Sequence, residues 1–334
     1  GRYSARFSIK VSLTFYYFGA VMRRTPLSLT LMLTLLSLAV TSTQVVNLGT
    51  ANFLPPPPPP LSRIFIRADG SVDPSNAPIQ RIGNVYTLTA SISDFVIDVQ
   101  RDNIVIDGAG FGLIGKTHEN GVVLASRSNV VIKNMNVKQF NAGIYVSGCT
   151  GCTIDGNSVT SSLSGIQISG NSSNNIISGN VLKDNTWGIS ILYSGANLFR
   201  NNAMQNNSYN LGIAADLTDS ISEFANDIDG SNTVDGKPVC YWVNQQNKIV
   251  PSGCGYVALI GCTGIIVQNL TLAKNGQGVL LISTRDSTIS QNTITGNGYG
   301  VWADNSSSHI TIVGNNITVD GKVVPQTDAL LHSS

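Results

Sequence analysis

The sequence predicts an all-β fold, a single-stranded right-handed parallel β-helix of about ten coils of roughly 22 residues each. Three observations predict it: a fixed repeat, strands too short to bury a face alone, and asparagines recurring at matching bends. The segments opening at Gly121, Gly143, Gly165, Gly188, Gly278 and Gly300 share one pattern of glycine followed by alternating apolar residues. The first three start 22 residues apart, the fourth follows after 23, and the last two are again 22 apart.

Each is followed by a polar turn and a second short strand, as in Asn129-Val-Val-Ile-Lys-Asn, Cys152-Thr-Ile-Asp-Gly-Asn and Asn175-Ile-Ile-Ser-Gly-Asn. A third apolar position follows at Val137, Val159, Leu182, Ile294 and Ile317. Such strands bury their apolar ledges only by stacking coil on coil at the ordinary inter-strand spacing. Stacking is expected to place Ile144, Ile166, Ile189, Val279 and Val301 in one internal column, and Ile154, Ile177, Ile289 and Ile312 in another. Asn157, Asn180, Asn202, Asn292 and Asn315 then fall at corresponding bends, where a side-chain amide can satisfy the backbone of the neighbouring coil. The 22-residue step excludes a propeller, and the missing leucine pattern excludes a leucine-rich horseshoe.

Residues 84–115 read as earlier, less regular coils, with residues 63–83 as the cap that a solenoid end requires. The domain is expected to span 63–334, with an insertion at about 213–261 where the repeat breaks. That insertion opens on the chain's one concentration of acids, Asp216, Asp219, Glu223, Asp227, Asp229 and Asp235. Insertions in solenoid coils emerge as loops, and such loops often bind.

Upstream, Met22, Arg23 and Arg24 precede an apolar run from Leu27 to Val40 and the small residues Thr41 and Ser42. This order makes residues 22–42 a secretory signal peptide or a membrane anchor. Residues 43–62, with six consecutive prolines from Pro55, form a stiff linker. The expected location is therefore secreted, periplasmic or cell-surface. Five cysteines fit such a compartment, and Cys240 with Cys254 is the expected disulfide. Charge is sparse, at 12% of residues with a net +1, so no basic field exists to hold nucleic acid.

Several segments resemble exported β-helix repeat proteins of the NosD type, a periplasmic copper-binding family within the pectate-lyase-like superfamily. They are Ile66-Arg-Ala-Asp-Gly-Ser, Gln100-Arg-Asp-Asn-Ile-Val-Ile-Asp-Gly-Ala-Gly, Asn232-Thr-Val-Asp-Gly-Lys-Pro-Val and Asn269-Leu-Thr-Leu. The resemblance implies the β-helix and, by its label, copper handling; related β-helices act on carbohydrates. Copper asks for sulfur or clustered imidazole. The chain offers the weak pair Cys149 and Cys152, and three histidines far apart in sequence.

A polysaccharide hydrolase or lyase needs paired carboxylates, with or without calcium. The candidates are Asp216, Asp219, Asp227 and Asp229. Non-catalytic glycan binding asks instead for exposed rings, and Tyr241, Trp242, Tyr193 and Trp187 are the candidates. Sequons at Asn171, Asn206, Asn269, Asn305 and Asn316 permit glycosylation. The balance favours a non-catalytic glycan-binding or structural module of the cell envelope, with polysaccharide or cell-surface proteins as partners. The enzyme and copper readings stand as alternatives.

Overall fold

A computed structural model describes residues 62–116, 119–214, 221–319, 322–323 and 330–332. The signal or anchor segment, the proline-rich linker, Asp216 and Asp219 lie outside the described residues. Among the described residues no helix is long and apolar enough to cross a membrane.

The chain coils as a right-handed parallel β-helix of about ten turns, each built from three short strands. In the coil at the middle of the first half, Ser164–Ser169 supplies the first wall, Ile176–Ser178 the second and Val181–Lys183 the third. The repeat places like residue on like residue. Ile166 pairs with Ile144 below it and Ile189 above it. Ile177 lies between Ile154 and Phe199, and Leu182 between Val159 and Met204. Every one of these side chains is buried, because alternate residues of a short strand point inward and the adjacent coil covers them.

The bends close because their residues accept a left-handed backbone. Gln139, Ser161, Asp184 and Asn206, successive residues at the bend from third to first wall, have φ between 51° and 66°. Inside each bend runs a ladder of polar side chains. Asn180 Oδ1 accepts the Asn157 amide at 3.0 Å, and its Nδ2 donates to the Ile154 carbonyl at 2.8 Å and to Asn202 Oδ1 at 2.9 Å. Asn175, Asn197 and Asn226 repeat the device at the bend after the first wall. Ser162, Asn185 and Asn207 do so at the bend after the third. The ladders supply partners to inward-turned backbone groups that water cannot reach.

The expected single column of isoleucines and valines is in fact two. The first stack ends on the strand Tyr209–Ala214, and Leu211 sits on Ile189. A second stack begins at Lys237–Val243, in which Val257, Val279 and Val301 form their own column. The break has a local cause. At Asp235 and Gly236, both with positive φ, the chain reverses, and Lys237–Val243 pairs antiparallel with Thr233–Val234. The third wall of the first stack thereby continues into the first wall of the second, as one twelve-stranded sheet.

That wall is buried on both faces. Val257, Leu259, Val279 and Leu281 enter the second core, while Tyr256, Ala258, Ile260, Leu280 and Ile282 join the first. The outer face of the second stack thus covers the open end of the first, which a solenoid cannot leave exposed. The insertion expected at 213–261 is this corner. Gln277 stands in for a missing strand there: its amide donates to the Ile213 carbonyl at 2.9 Å, and its oxygen accepts the Tyr256 hydroxyl at 3.2 Å. The Cys240–Cys254 disulfide, with Cα atoms 5.9 Å apart, ties the same corner.

Candidate functional site

Two of the sequence-predicted acids can be placed, and both serve the framework. Asp227 Oδ2 pairs with Arg200 at 2.7 Å, and Asp229 Oδ2 with the same guanidinium at 3.2 Å. Asp229 Oδ1 also accepts the Ser231 amide at 3.0 Å, closing a turn. Their charge is thereby answered by Arg200, and Asp227 lines a cavity of about 520 Å³. Asp155, one coil from Ser178, accepts that hydroxyl at 2.5 Å.

The predicted rings scatter. Tyr241 is a core residue, 7% exposed, whose hydroxyl donates to the Phe224 carbonyl. Burial pushes its phenol well above the ordinary range, and it lines a cavity of about 520 Å³ that Asp227 shares. Trp242 lies half-buried against the second core, and Trp302 half-buried against the first, near Phe224. Tyr193 is exposed but stands at the far end of the strand Trp187–Leu192.

Trp187 differs. Its ring pairs with that of Tyr209, the residue above it, with centroids 4.6 Å apart. The ring lies across Gly212, where a Cβ would come within 2.4 Å of it, and touches Gly276 of the second stack.

Cys149 and Cys152 occupy ladder positions, where the next coil has Ser172 and Asn175 accepting their amides. Both are fully buried. The hydrogen bond between the two thiols lowers Cys149 and raises Cys152. Among the described residues no group of three or more His, Cys, Asp or Glu converges to hold a metal. Met135 and Met204 are core residues, and His309 pairs with Asp286.

One surface feature joins residues from three consecutive coils. The bends at Ser161–Leu163, Asp184–Thr186 and Asn206–Ser208 line a groove of about 630 Å³, floored by Phe140, Ser162 and Asn185. It runs along the solenoid axis, since its lining residues are one coil apart. Leu163, 51% exposed, offers an apolar face, while Thr186, Asn206 and Ser208 offer hydrogen-bonding groups.

Asn206 also gathers two carboxylates. Its Nδ2 donates to Asp184 Oδ1 at 2.5 Å and its backbone amide to Asp235 Oδ1 at 2.7 Å. Asp235 Oδ2 accepts from Asn210 at 3.0 Å. One asparagine thus bridges the two carboxylates.

The family model for the right-handed β-helix region matches residues 120–317, more than half of the chain. The chain belongs to that family. It is a broader group than the NosD-type proteins that individual segments resemble. No curated protein matches the chain.

Among solved structures, this β-helix is similar to the A-module of a mannuronan C-5 epimerase from Azotobacter vinelandii. That likeness has 14% identity and a TM-score of 0.33 over 75% of this chain and 81% of that one. It is also similar to the catalytic unit of an α-1,3-glucanase from Streptomyces thermodiastaticus, with 14% identity and a TM-score of 0.32. The similarity covers 73% of this chain and 63% of the glucanase. An exopolygalacturonase from Thermotoga maritima is similar at 10% identity and a TM-score of 0.25, over 78% and 80% of the two chains. Likeness at this level concerns the fold.

None of the residues that line the groove is among the acids, rings or thiols that the sequence pointed to. The spacing of Gln139, Ser161, Asp184 and Asn206, one coil apart, was the signal that locates them.

Proposed function

We propose that this β-helix is a carbohydrate-interacting domain that lays an extended polysaccharide along the groove of the bends at 161–163, 184–186 and 206–208. One observation supports the reading above the others. An apolar surface at exposed Leu163 borders a row of hydroxyl and amide groups contributed by three consecutive coils. A pyranose ring has the matching chemistry, an apolar C–H face and a rim of hydroxyls. Coils spaced by about 4.8 Å repeat the lining at nearly the length of one sugar residue, so successive rings meet equivalent groups.

The test is affinity electrophoresis of the full chain through gels containing polysaccharides, beside a Ser208→Trp variant that fills the groove from an exposed position. Retardation of the wild type that the variant abolishes is the expected result. Equal retardation of both moves binding elsewhere.

The Asp184–Asp235 pair supports a second reading, in which the groove also cleaves its glycan. One acid would protonate the glycosidic oxygen while the other activates water or attacks the sugar. Reducing ends released by the wild type and lost in Asp184→Asn would establish it. Binding without product would leave the non-catalytic module.

A further inference from the structure

We infer that the groove selects an uncharged hexose polymer and rejects polyuronates. The inference rests on the glycan reading above and concerns which glycans the groove takes. A polyuronate carries a carboxylate on every ring, hence close to one per coil along this groove. Seating such a row of charges out of bulk water requires cations placed to meet them, usually arginine forks, lysines or a bound metal.

The groove supplies the opposite sign. Its one charged lining residue is Asp184, and the Asp235 carboxylate lies one hydrogen bond beyond Asn206. Lys183 stands 4.0 Å from Asp184 Oδ2 and answers a charge already present, and Lys138, two coils away in the same column, is outside the lining. Asn206, the neutral donor between the acids, gives its backbone N–H to Asp235 and one side-chain N–H to Asp184. Arginines with acid partners lie elsewhere: Arg63 and Arg67 near the N-terminal cap, Arg127 and Arg200 by the second wall. Among the described residues no group of three or more His, Cys, Asp or Glu converges at the groove.

A neutral sugar meets none of this opposition. Its hydroxyls donate to the Asp184 carboxylate and exchange hydrogen bonds with Thr186 and Ser208, while its C–H face rests on Leu163. Each contact is of a kind that a carboxylate-bearing ring would forfeit through repulsion.

The experiment measures dissociation constants for the full chain by titration calorimetry at low ionic strength, where repulsion is least screened. The probes are α-1,3-glucan, β-1,3-glucan and mannan oligosaccharides, against oligogalacturonate and oligomannuronate of equal length. Three proteins are compared: wild type, Asp184→Asn and Ser208→Trp. Asn accepts the left-handed backbone that position 184 needs and keeps an acceptor for Asn206, so the fold is preserved.

The expected result is a neutral oligosaccharide bound at least about tenfold more tightly than either uronate. Asp184→Asn should then narrow that ratio by strengthening uronate binding. Uronates bound as tightly as neutral glycans, and lost in Ser208→Trp, would overturn the inference while the groove reading stands. If no probe binds, or Ser208→Trp leaves all binding unchanged, the groove reading falls and the inference with it.

Discussion

Replacing Asn180 with alanine probes the internal ladder at its centre. Asn180 is fully buried and its side chain takes part in four hydrogen bonds, two accepted from Asn157 and two donated, to Ile154 and Asn202. The substitution does not affect these partners equally. Asn157 Nδ2 retains the Ile132 carbonyl, and Asn202 Oδ1 retains the Asn180 backbone amide. The Asn157 amide loses its partner, while the Ile154 carbonyl loses a second donor and keeps its place in the ladder with the strand Ile176–Ser178. A buried polar group left unsatisfied costs about 1–3 kcal/mol, and that is the expected loss. Gln167→Ala, on the outer face of the adjacent strand, should cost about 0.5 kcal/mol or less. Urea denaturation followed by far-ultraviolet circular dichroism measures both. Equal losses at Asn180 and Gln167 would mean that the ladder adds nothing beyond filling space, and the account of the bends would be wrong.

Other expectations follow from packing and titration. Ile166→Ala should destabilise by about 2–5 kcal/mol, the cost of a cavity in a close-packed core, and denaturation against Gln167→Ala checks it. Gln277→Leu should loosen the corner and speed hydrogen exchange at Ile213 and its neighbours, while the coils around Ile166 keep their protection. Native protein should leave Cys149, Cys152 and Cys262 unreacted with a thiol probe until it unfolds, since all three are free and buried; rapid labelling would contradict that burial. Burial raises the phenols of Tyr241 and Tyr256 in the folded state. Their neutral forms therefore favour folding fully below the ordinary tyrosine value near 10. That contribution is lost as pH climbs from there toward the raised folded values, because the unfolded chain ionises first. Absorbance titration of phenolate should show these two tyrosines ionising only with unfolding.

The coil was legible in the sequence because its physics is local and repeated. A glycine at Gly143, Gly165 or Gly188, an inward isoleucine one residue later and an asparagine at Asn157, Asn180 and Asn202 recur at nearly constant spacing. The same spacing gave the register that stacks Ile154 on Ile177. The corner was not legible. Val279 and Val301 carry the same pattern as Ile144 and Ile166, and nothing within either repeat says that they belong to a second core. That outcome is decided by a reversal at Asp235-Gly236 and by a wall whose two faces are both apolar, Tyr256 to Ile260.

The site suffered from the same limit. Acids and rings are concentrated in the sequence at Asp227, Asp229, Tyr241 and Trp242, where the acids answer Arg200 and the rings pack against the two cores. The groove draws single residues from separate coils, such as Asp184, Asn206 and Ser208. Each looks like one more polar turn residue until the coils are stacked. The Cys240–Cys254 bridge was legible because its loop is short and its turn residues, Pro251 and Gly253, allow reversal.

Hydrogen exchange of the full chain, with and without a saturating neutral oligosaccharide, tests the central claim most directly. The groove reading predicts that the sugar slows exchange at backbone amides of 161–163, 184–186 and 206–208, one segment from each of three adjacent coils, and leaves the outer faces of the second wall unchanged. Protection confined to the second wall or to the N-terminal cap, or no protection by any glycan that the chain retains, would contradict it.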